Sequence, residues 1–170
     1  MDSRHLAEYH SWAGQKTREI VNLLSDDEFT NNIDDIIGSV KDKALHMVVS
    51  ILFCFHKMKI KFEYLAENPQ KTTKKISTLS RKEFMKCWEH SDKRFSDLFM
   101  EDRPGTVTVL RKDGEEFCIQ INDFLMQYIF HSIYHRGQLN YCLKALGKPR
   151  ADSDYLYYFE ELDYKLELIE

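Results

Sequence analysis

Apolar residues recur at helical spacing over the first part of the chain. Leu6, Tyr9, Ala13, Ile20 and Leu24 share one side, with Trp12 beside them, and predict a long helix from about Ser3 to Leu24. "SDDE" at Ser25 has the Ser-x-x-Glu form of a capping box and opens a short turn. Ser39, with Asp42 three residues on, predicts the start of a second helix, carried to about Glu67 and closed by Pro69. The first half of that helix is apolar almost all round, so it should lie centrally. "NPQKTTKKIST" then reads as a polar linker. Ser80 and Glu83 form another capping box before a third helix, whose stripe is Phe84, Trp88, Phe95 and Leu98. "RPG" from Arg103 to Gly105 breaks the pattern. Thr106 to Leu110 and Phe117 to Ile121 are rich in β-branched residues and flank the Asp-Gly turn of "KDGE", which predicts a β-hairpin. A fourth long helix is expected from about Asn122 to Leu146, ended by Gly147 and Pro149. A last helix should start near Asp152 or Ser153 and carry Tyr155, Leu156, Phe159 and Leu162.

Four long amphipathic helices, a hairpin and a terminal helix make an all-α helical bundle. Only three prolines and six glycines interrupt it. A chain of 170 residues is long enough to bury a sizeable core, so residues 1–170 are expected to form one domain. The formal charge of -4 and pI of about 6.0 argue against a nucleic-acid surface, because phosphate binding needs an excess of Lys and Arg. The basic run "QKTTKK" reads as a solvated loop. The longest apolar run, Ala44 to Phe55, falls short of the roughly 18 residues a membrane span needs. The cysteines Cys54, Cys87, Cys118 and Cys142 lie far apart among apolar neighbours, as small hydrophobes do. With no apolar signal core in "MDSRHLAEYH", a reduced cytoplasmic setting is expected.

The chemistry is concentrated in the fourth helix. Phe124, Tyr128, His131, His135, Gln138 and Cys142 follow spacings of four, three, four, three and four, and so share one face. Two imidazoles four residues apart on a helix can meet one point, as in helical metal motifs. The glutamate of HExxH is absent from "HSIYH". A metal site wants at least three good donors. His46, flanked by Leu45 and Met47, is a third candidate, because an unpaired imidazole buried there would cost a few kcal/mol. His5, His56 and His90 read as surface residues, while His10 stays open, since the first helix also faces the bundle interior.

"HSIYHRGQL" followed by "LGKP" resembles the signature of the DinB/YfiT-like superfamily, His-x-x-x-His-Arg-Gly-Gln and then Leu-Gly-x-x-Pro. "KALHMVVS" is similar to that family's third histidine at His46, and "YHSWAGQKT" to its Tyr-x-x-Trp-Ala-Asn opening, with Gly14 in place of the Asn. "DSDYLYYFEEL" resembles the family's final helix. The resemblance implies an up-down-down-up four-helix bundle, frequent homodimers, and a divalent site of nickel or zinc held by His46, His131 and His135. It also implies activity on a small molecule, since the family includes S-transferases and isomerases that use low-molecular-weight thiols.

Three neutral imidazoles leave a divalent ion its charge and at least one open position, which suits thiol activation and hydrolysis equally. Beside the histidines, Gln138 is a candidate for a hydrogen bond that orients a ligand. Arg136 could bind a carboxylate of a substrate or of a neighbouring helix, or face solvent or a second subunit. Tyr128 and Tyr134 could line a pocket or fill the core. Gly137, which costs a helix about 1 kcal/mol relative to Ala, could let another helix approach the site. A noncatalytic bundle stabilised by its metal is the competing reading.

Overall fold

The computed structural model describes residues 3–101, 103–111 and 113–161. Its elements, in chain order, are α1 (Ser3–Asn22), α2 (Asp26–Thr30), α3 (Val40–Lys57), α4 (Pro69–Ser77), α5 (Arg81–Asp97), β1 (Thr106–Leu110), β2 (Glu116–Gln120), α6 (Ile121–Ala145) and α7 (Tyr155–Glu161). The four long helices α1, α3, α5 and α6 make the bundle, with α1 and α3 each packed on both α5 and α6. The architecture is the expected all-α, up-down-down-up one, with a hairpin before α6 and a terminal helix.

Three helix starts are set by sequence. Ser25, Ser39 and Ser80 accept from the backbone amides of Glu28, Asp42 and Glu83, and each acid returns a bond to the Ser amide. Two orphan donors are satisfied at each end. Antiparallel pairing is visible in side-chain bonds: Ser96 Oγ donates to the Ala7 carbonyl, and Arg81 Nη2 to that of Val21, so α5 runs back along α1. The core between the helices holds Ile51, Leu52, Phe55, Trp88, Phe95, Ile129, Leu139 and Leu143. A smaller aromatic cluster of Tyr9 and Tyr158, around Ala13, fixes α7 against α1. In the hairpin, Val107 pairs with Ile119 and Val109 with Phe117, so these four side chains share the face turned to the bundle.

The second long helix is shorter than its apolar pattern predicts. It stops at Lys57, not near Glu67. Lys59 adopts φ 55°, and the amides of Lys59 and Ile60 return to the carbonyls of His56 and Phe55. That is the bonding of a Schellman close, with Lys in the place usually held by Gly, so the stop leaves no glycine signal. Ile60 is buried and anchors the turn. Pro69 does not close a helix but opens one: the Asn68 side chain accepts from the Lys71 amide, and Pro69 takes the first helical position. The "linker" therefore contains α4. Thr72 on α4 ties the loop down by bonding the Ala66 amide and His56 Nε2. The last helix begins at Tyr155, slightly later than expected, and Leu162 lies outside the described residues. Cys54, Cys87 and Cys142 are buried as expected, whereas Cys118 is exposed on the outer face of the hairpin. No helix among the described residues is long and apolar enough to cross a membrane.

Candidate metal centre

Because α3 and α6 run antiparallel, residues one turn apart on one meet residues one turn apart on the other. His46 and Ser50 on α3 face His131 and His135 on α6. His46 Nε2 lies 3.1 Å from His131 Nε2, and the ring centroids of His135 are 4.3 Å from those of both other histidines. One donor atom from each ring can be chosen so that all lie within 4.8 Å of one another. Among the described residues this is the one group of three or more His, Cys, Asp or Glu side chains placed to share an ion. For a metal–nitrogen bond of about 2.0–2.1 Å, two tetrahedral ligands stand about 3.3 Å apart. The His46–His131 pair already matches that spacing.

The protonation states fit the same use. His131 is pushed down to about 4, first by burial and then by the neighbouring His135 and His46. His46 is lowered by burial, with His135 and Lys43 adding to it. His135 is also lowered, chiefly by burial and less by Lys43, against the opposing bond to Gln138. All three rings are thereby held in the neutral form that ligates. Gln138 Oε1 lies 2.7 Å from His135 Nδ1. The amide oxygen can only accept, so the proton is on Nδ1 and the Nε2 lone pair is free to ligate.

The centre lies at the edge of the core. His46 is exposed and its two partners are half-buried, so only part of the desolvation cost expected for a lone His46 arises. An open cleft of 410 Å³, walled by His46, Ser50, Phe53, Gln127, Tyr128 and His131, leads to the rings. Ser50, Phe53, Gln127 and Lys43 are site residues that motif reasoning passed over. Ser50 Oγ donates to the His46 carbonyl at 2.8 Å and stands 3.1 Å from His131 Nε2. Ser50 and Phe53 fall four and seven residues after His46, a helical stripe that spacing alone could have found.

The DinB family model matches residues 1–164. The chain belongs to the DinB family. A crystal structure of a protein assigned to the DinB family from Exiguobacterium sibiricum shares the fold, with a TM-score of 0.67 at 16% identity over 91% of this chain and 99% of that one. None of the curated proteins matches the chain.

In this DinB chain the remaining expected residues separate. Tyr128 is half-buried and walls the cleft next to His131. Tyr134 is 63% exposed and sets its ring 4.9 Å from that of His135, so it belongs to the outer rim and not to the core. Arg136 neither faces solvent nor joins the histidines. It is buried on another side of α6, with its guanidinium 5.5 Å from the Tyr9 ring centroid and both terminal nitrogens without a hydrogen-bond partner among the described residues. Burial disfavours its charged form, and Tyr9 partly offsets this. Among the described residues nothing lies within 4 Å of the Gly137 Cβ position, so no described helix approaches there.

Gly14 and His10 also find their places. A Cβ on Gly14 would overlap the Asp92 carboxylate from α5. Asp92 is ion-paired with Arg18, and its Oδ1 lies 3.4 Å from His10 Nε2. His10 is therefore part of a second polar cluster between α1 and α5, in which His10 and Asp92 are buried and Arg18 is half-buried, and not of the three-histidine centre. The missing Asn side chain at position 14 is replaced by space for a carboxylate from the opposite helix.

Proposed function

We propose that His46, His131 and His135 hold a divalent cation, nickel or zinc, and that the chain, acting as one domain over residues 1–170, is a metal-dependent enzyme for a small molecule. The observation that carries this reading is the convergence of three neutral imidazoles from two helices at the end of an open cleft. A bound divalent ion would acidify a thiol or a water at neutral pH, which suits either S-transfer with a low-molecular-weight thiol or hydrolysis. The chain's own residues do the rest. Gln138 holds the proton at His135 Nδ1. Ser50 braces the His46 turn. Phe53 and Tyr128 wall the approach and limit water.

The alternative, a metal that merely stabilises the bundle, is disfavoured by where the cluster sits. The core is contiguous without it, and α3 and α5 are capped independently of it. Stripping a structural ion should unfold the protein. Here chelation should cost activity and only a few degrees of melting temperature.

Tyr134 and Tyr141, 63% and 53% exposed with the bare Gly137 between them on α6, support a homodimer across that helix. A reduced cytoplasmic setting suits the free thiols. The deciding experiment is elemental analysis of gently purified protein beside His46→Ala and His135→Ala. About one equivalent of nickel or zinc is expected in the wild type and little in either variant. Metal-free wild type that takes up neither ion on titration would overturn the proposal.

A further inference from the structure

The hairpin hangs over the bundle without filling the space beneath it. Between its inward face and the α3–α6 pair lies a second groove of 790 Å³. Val109, Phe117 and Ile119 form one wall, and Phe53, Tyr128 and Phe130 the other. A groove of a few hundred cubic ångströms or more, lined mostly by apolar side chains, is the usual size and make-up of a small-molecule site. The groove shares Phe53, Gln127 and Tyr128 with the cleft that ends at His46 and His131. The two therefore adjoin across these side chains and make a trough that is apolar at the hairpin end and imidazole-lined at the other.

The charge pattern narrows the occupant. Lys57 and Asp123 are the charged residues among those that line the hairpin end, and together they are neutral. The Lys57 ammonium is folded back to 5.9 Å from the Phe53 ring centroid. The trough has no concentrated charge for an anionic or cationic tail. Large apolar side chains are left open to water here: Phe53 at 40%, Phe130 at 56% and Leu110 at 61%. We propose that this groove recognises an uncharged, elongated apolar group, an alkyl or aryl chain, of a small molecule whose polar reacting end lies over the histidines. The assignment of the reacting end rests on the metal-centre reading above; the apolar subsite does not.

Two measurements keep these apart. In the first, cobalt-loaded protein is titrated with linear thiols from ethanethiol to hexanethiol and the thiolate-to-cobalt absorption is followed. Affinity should rise about fourfold per methylene. In the second, metal-free protein is loaded with the neutral dye N-phenyl-1-naphthylamine, and linear alcohols from ethanol to hexanol displace it, again with a steep chain-length dependence. Phe117→Ser with Ile119→Ser, both half-exposed on the hairpin, should flatten both series and leave ethanethiol affinity unchanged. A flat alcohol series on wild-type protein, or a steep one unaltered in the double variant, would overturn the groove. So would dye release that tracks dimer formation as protein concentration rises, since a second copy would then cover the face. If the protein takes up no cobalt but the alcohol series stays steep and depends on Phe117 and Ile119, the metal reading fails and the apolar subsite stands; if cobalt binds and no thiol gives a band, the thiol end of the assignment fails.

Discussion

Gln138→Ala removes one acceptor and leaves the ligands in place. The wild-type bond from His135 Nδ1 to Gln138 Oε1 is 2.7 Å long and runs between residues three apart on α6, so no backbone movement is needed to make it. Without it, a neutral His135 can carry its proton on either ring nitrogen, and the tautomer protonated on Nε2 cannot ligate through that atom. Loss of such an outer partner usually costs 10–100-fold in metal affinity. Gln138 is half-exposed, so a water can replace the lost acceptor. That places the expected loss at the low end, about tenfold or about 1.4 kcal/mol.

Gln138→Glu supplies the second arm. A carboxylate at the same place holds the Nδ1 proton more firmly and makes the ring a better donor, so affinity should equal or exceed wild type. The assay is competition for zinc against a chromophoric chelator near neutral pH, with nitrogen-15 spectra of the imidazoles to read the His135 tautomer. Wild-type affinity in Gln138→Ala with an unchanged tautomer would show that the bond does not set the ring. Equal losses in the Ala and Glu variants would refute the electrostatic argument and point to packing on α6.

Three further outcomes follow from the geometry. Gly14→Ala should destabilise by about 1–3 kcal/mol in urea unfolding, because its methyl displaces Asp92 from Arg18 and from the face of His10; stability within 0.5 kcal/mol of wild type would mean that α5 yields without cost. Gly137→Ala should stabilise by about 1 kcal/mol with metal content unchanged, since its Cβ meets nothing within 4 Å among the described residues, and a loss of metal would restore the idea of close approach beside the site. Metal affinity should hold from pH 8 through the ordinary imidazole value, because all three rings are held below it, and fall as pH nears the His131 value of about 4 and protons compete for the rings. The three folded-state values lie below the ordinary imidazole value, so the unfolded chain takes up protons first, and metal-free protein should lose stability from about pH 6.5 down to the His131 value of about 4. Affinity that stays flat through the His131 value of about 4 would contradict imidazole ligation.

The elements that the sequence announces are those whose signals are local. Ser25, Ser39 and Ser80 each carry an acid three residues on, and each caps a helix. Thr106 and Phe117 open runs of β-branched residues around Asp113-Gly114 and form the hairpin. The failures come where a local pattern has two solutions. Ile60, Phe62 and Leu65 extend the apolar spacing of α3, but they pack from a loop, because a non-glycine residue takes the left-handed position at Lys59. Asn68-Pro69 can follow one helix or start the next; Thr72 decides it, through tertiary bonds that no window of sequence contains. Arg136 sits beside His135 in the chain yet on a different side of the helix, so adjacency in a motif says nothing of adjacency in the site.

The histidine cluster was legible for a reason that differs from the one burial suggested. An exposed His46 has only part of that desolvation cost for a metal to relieve, so its presence opposite His131 has to be explained by axial register. A helix turns about 100° per residue, and sliding α3 by one residue against α6 would carry His46 off the shared face altogether. That register is set elsewhere, by Ile51, Leu52 and Phe55 buried against Ile129 and its neighbours, and by the Ser39 cap that fixes where α3 begins. The core thus aligns the rings while leaving them at an edge that solvent and a ligand can reach. Substitutions within the α3–α6 core should therefore act on metal affinity in proportion to how far they shift that register, even where no ligand is touched. Enlarging Ala44, fully buried two residues before His46, is the sharpest case, because it pushes on the first turn of α3 directly. Ala44→Val that lowers stability but binds zinc as tightly as wild type would separate the core from the site and undo this coupling.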